Sequence, residues 1–177
     1  MTSTSSSSTT STDTRTDYKR QWQQRARFRK WLVEKAGVSL GSFTADDVDM
    51  LHAYYDSLPR VKGRTQTATL QRLLERAERL TDESDYTMSQ ALQLSQDIEL
   101  LLRELYAGEV LLTYVLQRGG EEQTVRATLA GPVAALVRRR SSPHASLMQV
   151  SFYDLDAQQW RSMHVGDYVI CRHSDLQ

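Results

Sequence analysis

The stretch Ile98-Glu99-Leu100-Leu101-Leu102-Arg103-Glu104-Leu105-Tyr106-Ala107-Gly108-Glu109-Val110-Leu111-Leu112-Thr113-Tyr114-Val115-Leu116 decides the fold class. Up to Leu105 the apolar residues return at helical spacing: Met88, Leu92, Ile98, Leu102 and Leu105 share one face with Ser95, and Leu94 and Leu101 widen it. Past Gly108 the period drops to two, with Val110, Leu112, Tyr114 and Leu116 alternating against Leu111, Thr113 and Val115. A period of 3.6 lets a helix bury one stripe, and a period of 2 lets a strand bury one face. The chain is therefore read as α+β, with helices first and strands after.

Working back from this junction, Thr87 to Gln90 has the form of a capping box, in which a hydroxyl and a side chain three residues on satisfy each other's backbone N–H. Thr81 to Tyr86 is a polar turn. A preceding helix runs from about Thr67 to Leu80, with Leu70, Leu73, Leu74, Ala77 and Leu80 as its stripe, and the last two helices suit an antiparallel hairpin. Thr44 to Asp47 is a second capping-box-like start, for a helix carrying Val48, Leu51, Tyr55 and Leu58 and stopped by Pro59. Tyr18 to Ala36 reads as a helix closed by Gly37, with Phe28, Trp31, Leu32 and Lys35 on one face. Met1 to Asp17 is nearly all Ser and Thr. It has no apolar residue after Met1 to repay the entropy of ordering, and is expected to be a disordered, solubilising tail.

Working forward, Gly119-Gly120 supplies a hairpin turn and Val125, Ala127 and Leu129 mark the return strand. Gly131 to Ser146 is an excursion or short irregular helix holding the basic triplet Arg138-Arg139-Arg140. Leu147–Leu155, Gln159–Val165 and Tyr168–Arg172 complete five short strands, a number and length that suit a small bent barrel, because closure removes exposed edges. The expected organisation is a tail over 1–17, three to four helices over 18–108 and a five-stranded barrel over 109–173.

Thr113-Tyr114, Gly119-Gly120, Val125-Arg126-Ala127-Thr128-Leu129, Phe152-Tyr153-Asp154-Leu155-Asp156 and Trp160-Arg161-Ser162-Met163 together resemble small SH3-like β-barrel proteins of Bacteroidetes and tailed phages. More distantly they resemble the WYL domain, an SH3-like barrel of bacterial transcriptional regulators that senses nucleotide-type or nucleic-acid ligands. The resemblance covers residues 109–172; the WYL tripeptide is missing, and Ser162-Met163 stands where an aromatic commonly follows. It implies a ligand set of Tyr114, Arg126, Tyr153 and Arg161. Strand parity sends Trp160 and Ser162 one way and Arg161 and Met163 the other. The plainer alternative has Trp160 plugging the barrel and Arg161 as a surface charge.

The 177 residues carry 22 Lys+Arg and 22 Asp+Glu, but the balance is local. Residues 18–40 hold seven basic residues against Glu34 alone, and residues 41–108 hold seven against twelve acids. Lys19, Arg20, Arg25, Arg27, Arg29 and Lys30 interleave with Tyr18, Trp22, Phe28 and Trp31. Cations neutralise phosphates and aromatic faces stack on bases, so this helix, extended by Arg60, Lys62, Arg64 and Arg138, Arg139 and Arg140, is the candidate nucleic-acid-binding surface. The same residues also suit a solvated face or one pairing with the acidic middle segment, and a pI near 6.9 is low for a nucleic-acid binder.

Enzyme signatures are absent: there is no glycine-rich phosphate loop after a strand, no Gly-x-Ser-x-Gly and no His-Glu-x-x-His. Cys171 and His173 with His164 read as a structural thiol near the chain end, His52 and His144 as isolated, and Asp46/Asp47 and Asp154/Asp156 as capping and turn acids. No catalytic residue, metal site or cofactor is expected. No apolar run approaches the roughly 18–20 residues of a membrane span, and no secretory leader is seen. A single cysteine fits a reducing, cytoplasmic setting. The expected function is a non-enzymatic binding module, a nucleic-acid-associated or regulatory accessory protein of phage or mobile-element type. The alternative is a protein-interaction or assembly module that forms homo-oligomers through the Leu92–Leu105 stripe or a barrel edge.

Overall fold

The computed structural model describes residues 11–58, 65–116, 120–133, 147–166 and 168–175. The chain divides into two units, Met1–Thr67 and Ala68–Gln177.

In the first unit, α1 spans Ser11–Ala36 and α2 spans Ala45–Ser57, with a single 3-10 turn at Leu40–Ser42 between them. Helix α1 starts inside the segment expected to be unstructured, which corrects that expectation for residues 11–17. Extending a helix already nucleated over 18–36 costs far less than starting one. Residues 1–10 lie outside the described residues. Gly37 takes φ 71°, the left-handed value that glycine adopts without a Cβ clash, and Val38 N–H returns to the Leu32 carbonyl at 3.2 Å. At the start of α2, Thr44 Oγ1 accepts from Asp47 N–H at 3.2 Å while Asp47 Oδ2 accepts from Thr44 N–H at 2.8 Å. Leu58 is extended at φ −66°, ψ 127°, as a residue before proline must be, and its carbonyl accepts from Gln66 Nε2 at 2.8 Å. Phe28, Leu32, Val38, Phe43, Val48, Leu51 and Leu58 are the buried apolar side chains of this unit.

The second unit carries α3 (Gln66–Glu83, crossing the boundary by two residues), α4 (Met88–Ala107) and five strands. These are β1 (Glu109–Leu116), β2 (Gln123–Thr128), β3 (Gln149–Asp154), β4 (Gln159–His164) and β5 (Tyr168–Asp175). The Thr87 capping box forms as expected, with Thr87 Oγ1 accepting from Gln90 N–H and Gln90 Oε1 from Thr87 N–H. Gly108 ends α4 in extended backbone, φ −174°, rather than in a left-handed cap. Its carbonyl accepts from Thr128 Oγ1 at 2.7 Å, and Leu129 N–H donates to the Leu105 carbonyl at 2.8 Å, so the end of β2 is tied to the end of α4.

The strands form one antiparallel sheet in the order β4-β3-β2-β1-β5. Val110, Leu112 and Tyr114 bury one face of β1, and Val125 and Ala127 answer from β2 in the register Leu112↔Val125 and Val110↔Ala127. Val150, Phe152 and Met163 continue this face on β3 and β4. Helix α4 lies against β1, β2, β3 and β5.

One expectation is corrected here. The sheet is open, not a closed barrel: β4 and β5 are its two edges, and no pairing between them occurs among the described residues. A sheet whose apolar face is covered by helices has its second layer supplied and gains nothing more from closing on itself. The two compact units meet at Thr67/Ala68, which groups nearly all of α3 and the whole of α4 with the strands. Their leucine stripes, Leu70 to Leu80 and Leu92 to Leu105, are buried in that unit's core.

Candidate functional site

The expected basic helix is α1, and most of its charge stands in solvent. Tyr18 and Trp22 are 71% and 62% exposed, Lys19, Arg20, Arg25, Arg27 and Lys30 are exposed, and Arg29 is half-buried. At 100° per residue, Tyr18, Trp22, Arg25 and Arg29 line up along one stripe, with Arg20 and Arg27 together on another. Arg25 pairs with Asp49 of α2, and Lys30 Nζ stands 3.7 Å from Glu34 one turn on. Among the described residues, Lys19, Arg20, Arg27 and Arg29 have no carboxylate partner. Their charge is thus left to solvent or to a ligand.

Beside this surface α1 and α2 enclose an open cleft of about 530 Å³, lined by Gln24, Arg27, Phe28 and Trp31 from α1 and His52, Tyr55 and Asp56 from α2. Both sets follow helical spacing: i, i+3, i+4, i+7 on α1 and i, i+3, i+4 on α2. The rings touch. Phe28 and Trp31 stack at 5.5 Å with planes 17° apart, the Phe28 and His52 centroids are 4.6 Å apart, and Trp31 and Tyr55 meet at 4.8 Å and 52°. Phe28 is the buried floor, whereas Trp31, His52 and Tyr55 stay half-buried. His52 Nε2 lies 3.6 Å from Asp56 Oδ2. Sequence reasoning placed Phe28, Trp31 and Tyr55 on packing faces and left His52 isolated. The available signal was that His52, Tyr55 and Asp56 share a face of α2 as Gln24, Phe28 and Trp31 share one of α1.

The ligand set implied for the strands does not converge. Tyr114 points into the core face, 5% exposed, with its hydroxyl donating to Gln123 Oε1 at 3.1 Å and its ring edge-on to Phe152. Arg126 faces the other way, bridging Glu109 at 2.8 Å and Asp156 at 3.3 Å, and its pKa rises because Glu109 accepts its hydrogen bond. Tyr153 packs edge-on to its cross-strand neighbour Trp160 at 5.6 Å. Arg161 lies opposite Phe152, its Nε 2.7 Å from Asp154 Oδ2. Strand parity therefore holds on β4, and Trp160 is half-buried on the face away from Phe152 and Met163 instead of plugging an interior.

Asp154 is itself a structural acid. Its Oδ1 accepts the N–H groups of Asp156 and Ala157, both at 3.0 Å, which shapes the turn into β4. Burial alone would push its carboxyl up. The two backbone donors and the Arg161 guanidinium outweigh that and hold it below the usual carboxylate range.

A second charge cluster joins the helices of this unit. Glu99 of α4 is buried between Arg72 and Arg76 of α3, with Arg76 Nη2 2.9 Å and Arg72 Nε 3.1 Å from Oε1. Arg76 also donates to the Ser95 carbonyl at 3.3 Å and to the Leu147 carbonyl at 2.7 Å, fastening the chain just ahead of β3. The partner numbers 72 with 99 and 76 with 95 or 99 fit the antiparallel hairpin expected for α3 and α4.

Arg60, Lys62, Arg64, His144, Arg138, Arg139 and Arg140 lie outside the described residues. On β5 the pairing steps from Thr113↔Arg172 to Tyr114↔Ile170, so a backbone bulge falls at Cys171. Among the described residues there is no cluster of three or more metal-ligating side chains, and no helix is long and apolar enough to cross a membrane. No family model, curated protein or solved structure matches the chain.

Proposed function

We propose that the protein is a non-enzymatic binding module that docks nucleic acid through α1. The observation that carries this reading is the set of cations without carboxylate partners among the described residues, Lys19, Arg20, Arg27 and Arg29, on a helix that also exposes Tyr18 and Trp22. Free guanidinium and ammonium groups exchange water for phosphate oxygens at little cost and release counterions from the polyanion, while exposed rings pack on sugars or bases. Charge segregation supports it: the first unit holds eleven Lys+Arg against seven Asp+Glu, net +4, and the second holds eleven against fifteen, net −4.

A protein partner is the second reading. It is favoured by the exposed Tyr18 and Trp22 one turn apart on α1, with Val33 exposed three turns further along the same side. Assembly through the Leu92–Leu105 stripe has less behind it, because that stripe is already buried within its own unit.

The test is binding of labelled DNA and RNA, single- and double-stranded, across a salt series, for the native chain and for a variant with Lys19, Arg20, Arg27 and Arg29 changed to Gln. Affinity should fall steeply with salt. The variant should bind at least about ten-fold more weakly, and its log–log salt slope should flatten by roughly 0.7–0.9 for each phosphate it no longer neutralises. A native chain that binds nothing at low salt would sink the nucleic-acid reading and leave the protein partner.

A further inference from the structure

We propose that the cleft between α1 and α2 takes an unpaired nucleobase, which makes the bound nucleic acid single-stranded. The inference rests on the nucleic-acid reading above and specifies its ligand. The volume of about 530 Å³ falls within the roughly 300–1,000 Å³ of small-molecule sites, and the walls are ring systems: Phe28 at the floor, with Trp31, His52 and Tyr55 half-open around it. Such walls select a flat aromatic occupant.

The polar groups narrow the choice. Gln24 offers both a donor and an acceptor, Asp56 only acceptors and Arg27 only donors. A base edge presents donors and acceptors side by side and can use all three. A phosphate inside the cleft would meet the Asp56 carboxylate. A methylated ammonium, the usual guest of an aromatic cage, would meet Arg27 and the surplus of positive charge on α1. In a duplex both faces of each base are stacked and its pairing edge is occupied, so only an unpaired base can enter. Arg27 belongs to the cleft and to the cationic surface alike, which lets one strand place a base inside and its phosphates along α1.

The experiment compares three labelled probes of equal length on the full chain: a single strand, the matching duplex, and an abasic strand that keeps every phosphate. The single strand should bind about ten-fold more tightly than the abasic one, in line with the worth of one stacked base. Tyr55→Leu, which keeps apolar volume but removes a ring, should bring the single strand down to the abasic level with its salt slope unchanged. Gln24→Ala with Asp56→Ala, at exposed positions that keep every ring of the cleft, should weaken the single strand several-fold and leave the abasic probe unaffected. Equal binding of the single and abasic strands, with steep salt dependence retained, would overturn the base cleft while leaving phosphate docking in place. Tightest binding of the duplex would overturn it in favour of α1 lying in a groove. Failure of all three probes would overturn both readings together.

Discussion

The two units use the same residue type in opposite ways. In the second unit, four arginines close on carboxylates of their own fold, Arg72 and Arg76 on Glu99, Arg126 on Glu109 and Asp156, Arg161 on Asp154, while Arg79 and Arg103 are exposed on their helices. In the first unit, among the described residues, Arg25 closes on Asp49, while Arg20, Arg27 and Arg29 have no such partner. Aromatic residues divide less cleanly, since Tyr106 is exposed and Tyr153 and Trp160 half-buried in the second unit, and Phe28 and Phe43 are buried in the first. Phe152 and Tyr114 are sealed in the sheet core, whereas Tyr18 and Trp22 stand in solvent and Trp31 and Tyr55 line an open cleft. A guanidinium whose hydrogen bonds are satisfied within the fold is a strut; one that is exposed and unpaired is available to a ligand. On the proposed function, the arginines of α1 belong to the second kind and those around Glu99 and Asp154 to the first.

The sharpest way to break this contrast is Glu99→Ala. It leaves the Arg76 guanidinium, 3% exposed, without its counter-charge, and should destabilise the second unit by about 3–5 kcal/mol. Arg27→Gln, on the binding side, should change stability by no more than about 0.5 kcal/mol. Urea unfolding followed by far-UV circular dichroism measures both, and comparable losses for the two would erase the distinction between strut and ligand group.

Asp154→Ala comes next. It removes the acceptor of two backbone N–H groups and the partner of Arg161, for an expected loss of about 1–3 kcal/mol. The native residue also carries a pH signature. Its carboxyl ionises more readily folded than unfolded, so its contribution is complete above the unfolded carboxylate value and is lost as pH falls through the lower folded value. Stability profiles should therefore converge at low pH for native protein and Asp154→Asn. Profiles that stay parallel throughout would show that the Asp154 charge contributes nothing.

The smallest effect tests the two units on equal terms. Thr44→Ala and Thr87→Ala each remove one capping box and should cost about 1 kcal/mol apiece. Amide hydrogen exchange would report where each loss falls, and an effect of Thr44→Ala confined to α1 and α2 would show that the first unit opens on its own.

What could be read without a structure follows from interactions that are close in sequence. Thr44 with Asp47 and Thr87 with Gln90 are three residues apart, Gly37 follows the last helical residue of α1, and the alternation of Val110, Leu112 and Tyr114 is a property of one strand. The parity on β4, with Trp160 away from Arg161 and Met163, is equally local and was legible. The cleft was not, since Trp31 and Tyr55 meet across two helices and each looks like ordinary core on its own. Nor was the Glu99 cluster: its partners lie 27 and 23 residues away, and Arg72, Arg76 and Glu99 read as unremarkable helix-surface charges.

The sequence by itself determined the class, the order of helices and strands, their caps and which face of each is apolar, because periodicity and capping act within a few residues. Tertiary structure alone decided that α3 and α4 join the sheet, that the sheet stays open beneath α4, and that the implied ligand residues Tyr114 and Arg126 part to opposite faces. It also decided which arginines are committed to internal carboxylates and which remain free. The physical reason is common to all of these. An apolar stripe or a charge specifies that it needs a partner, and only the packed chain specifies which partner it gets.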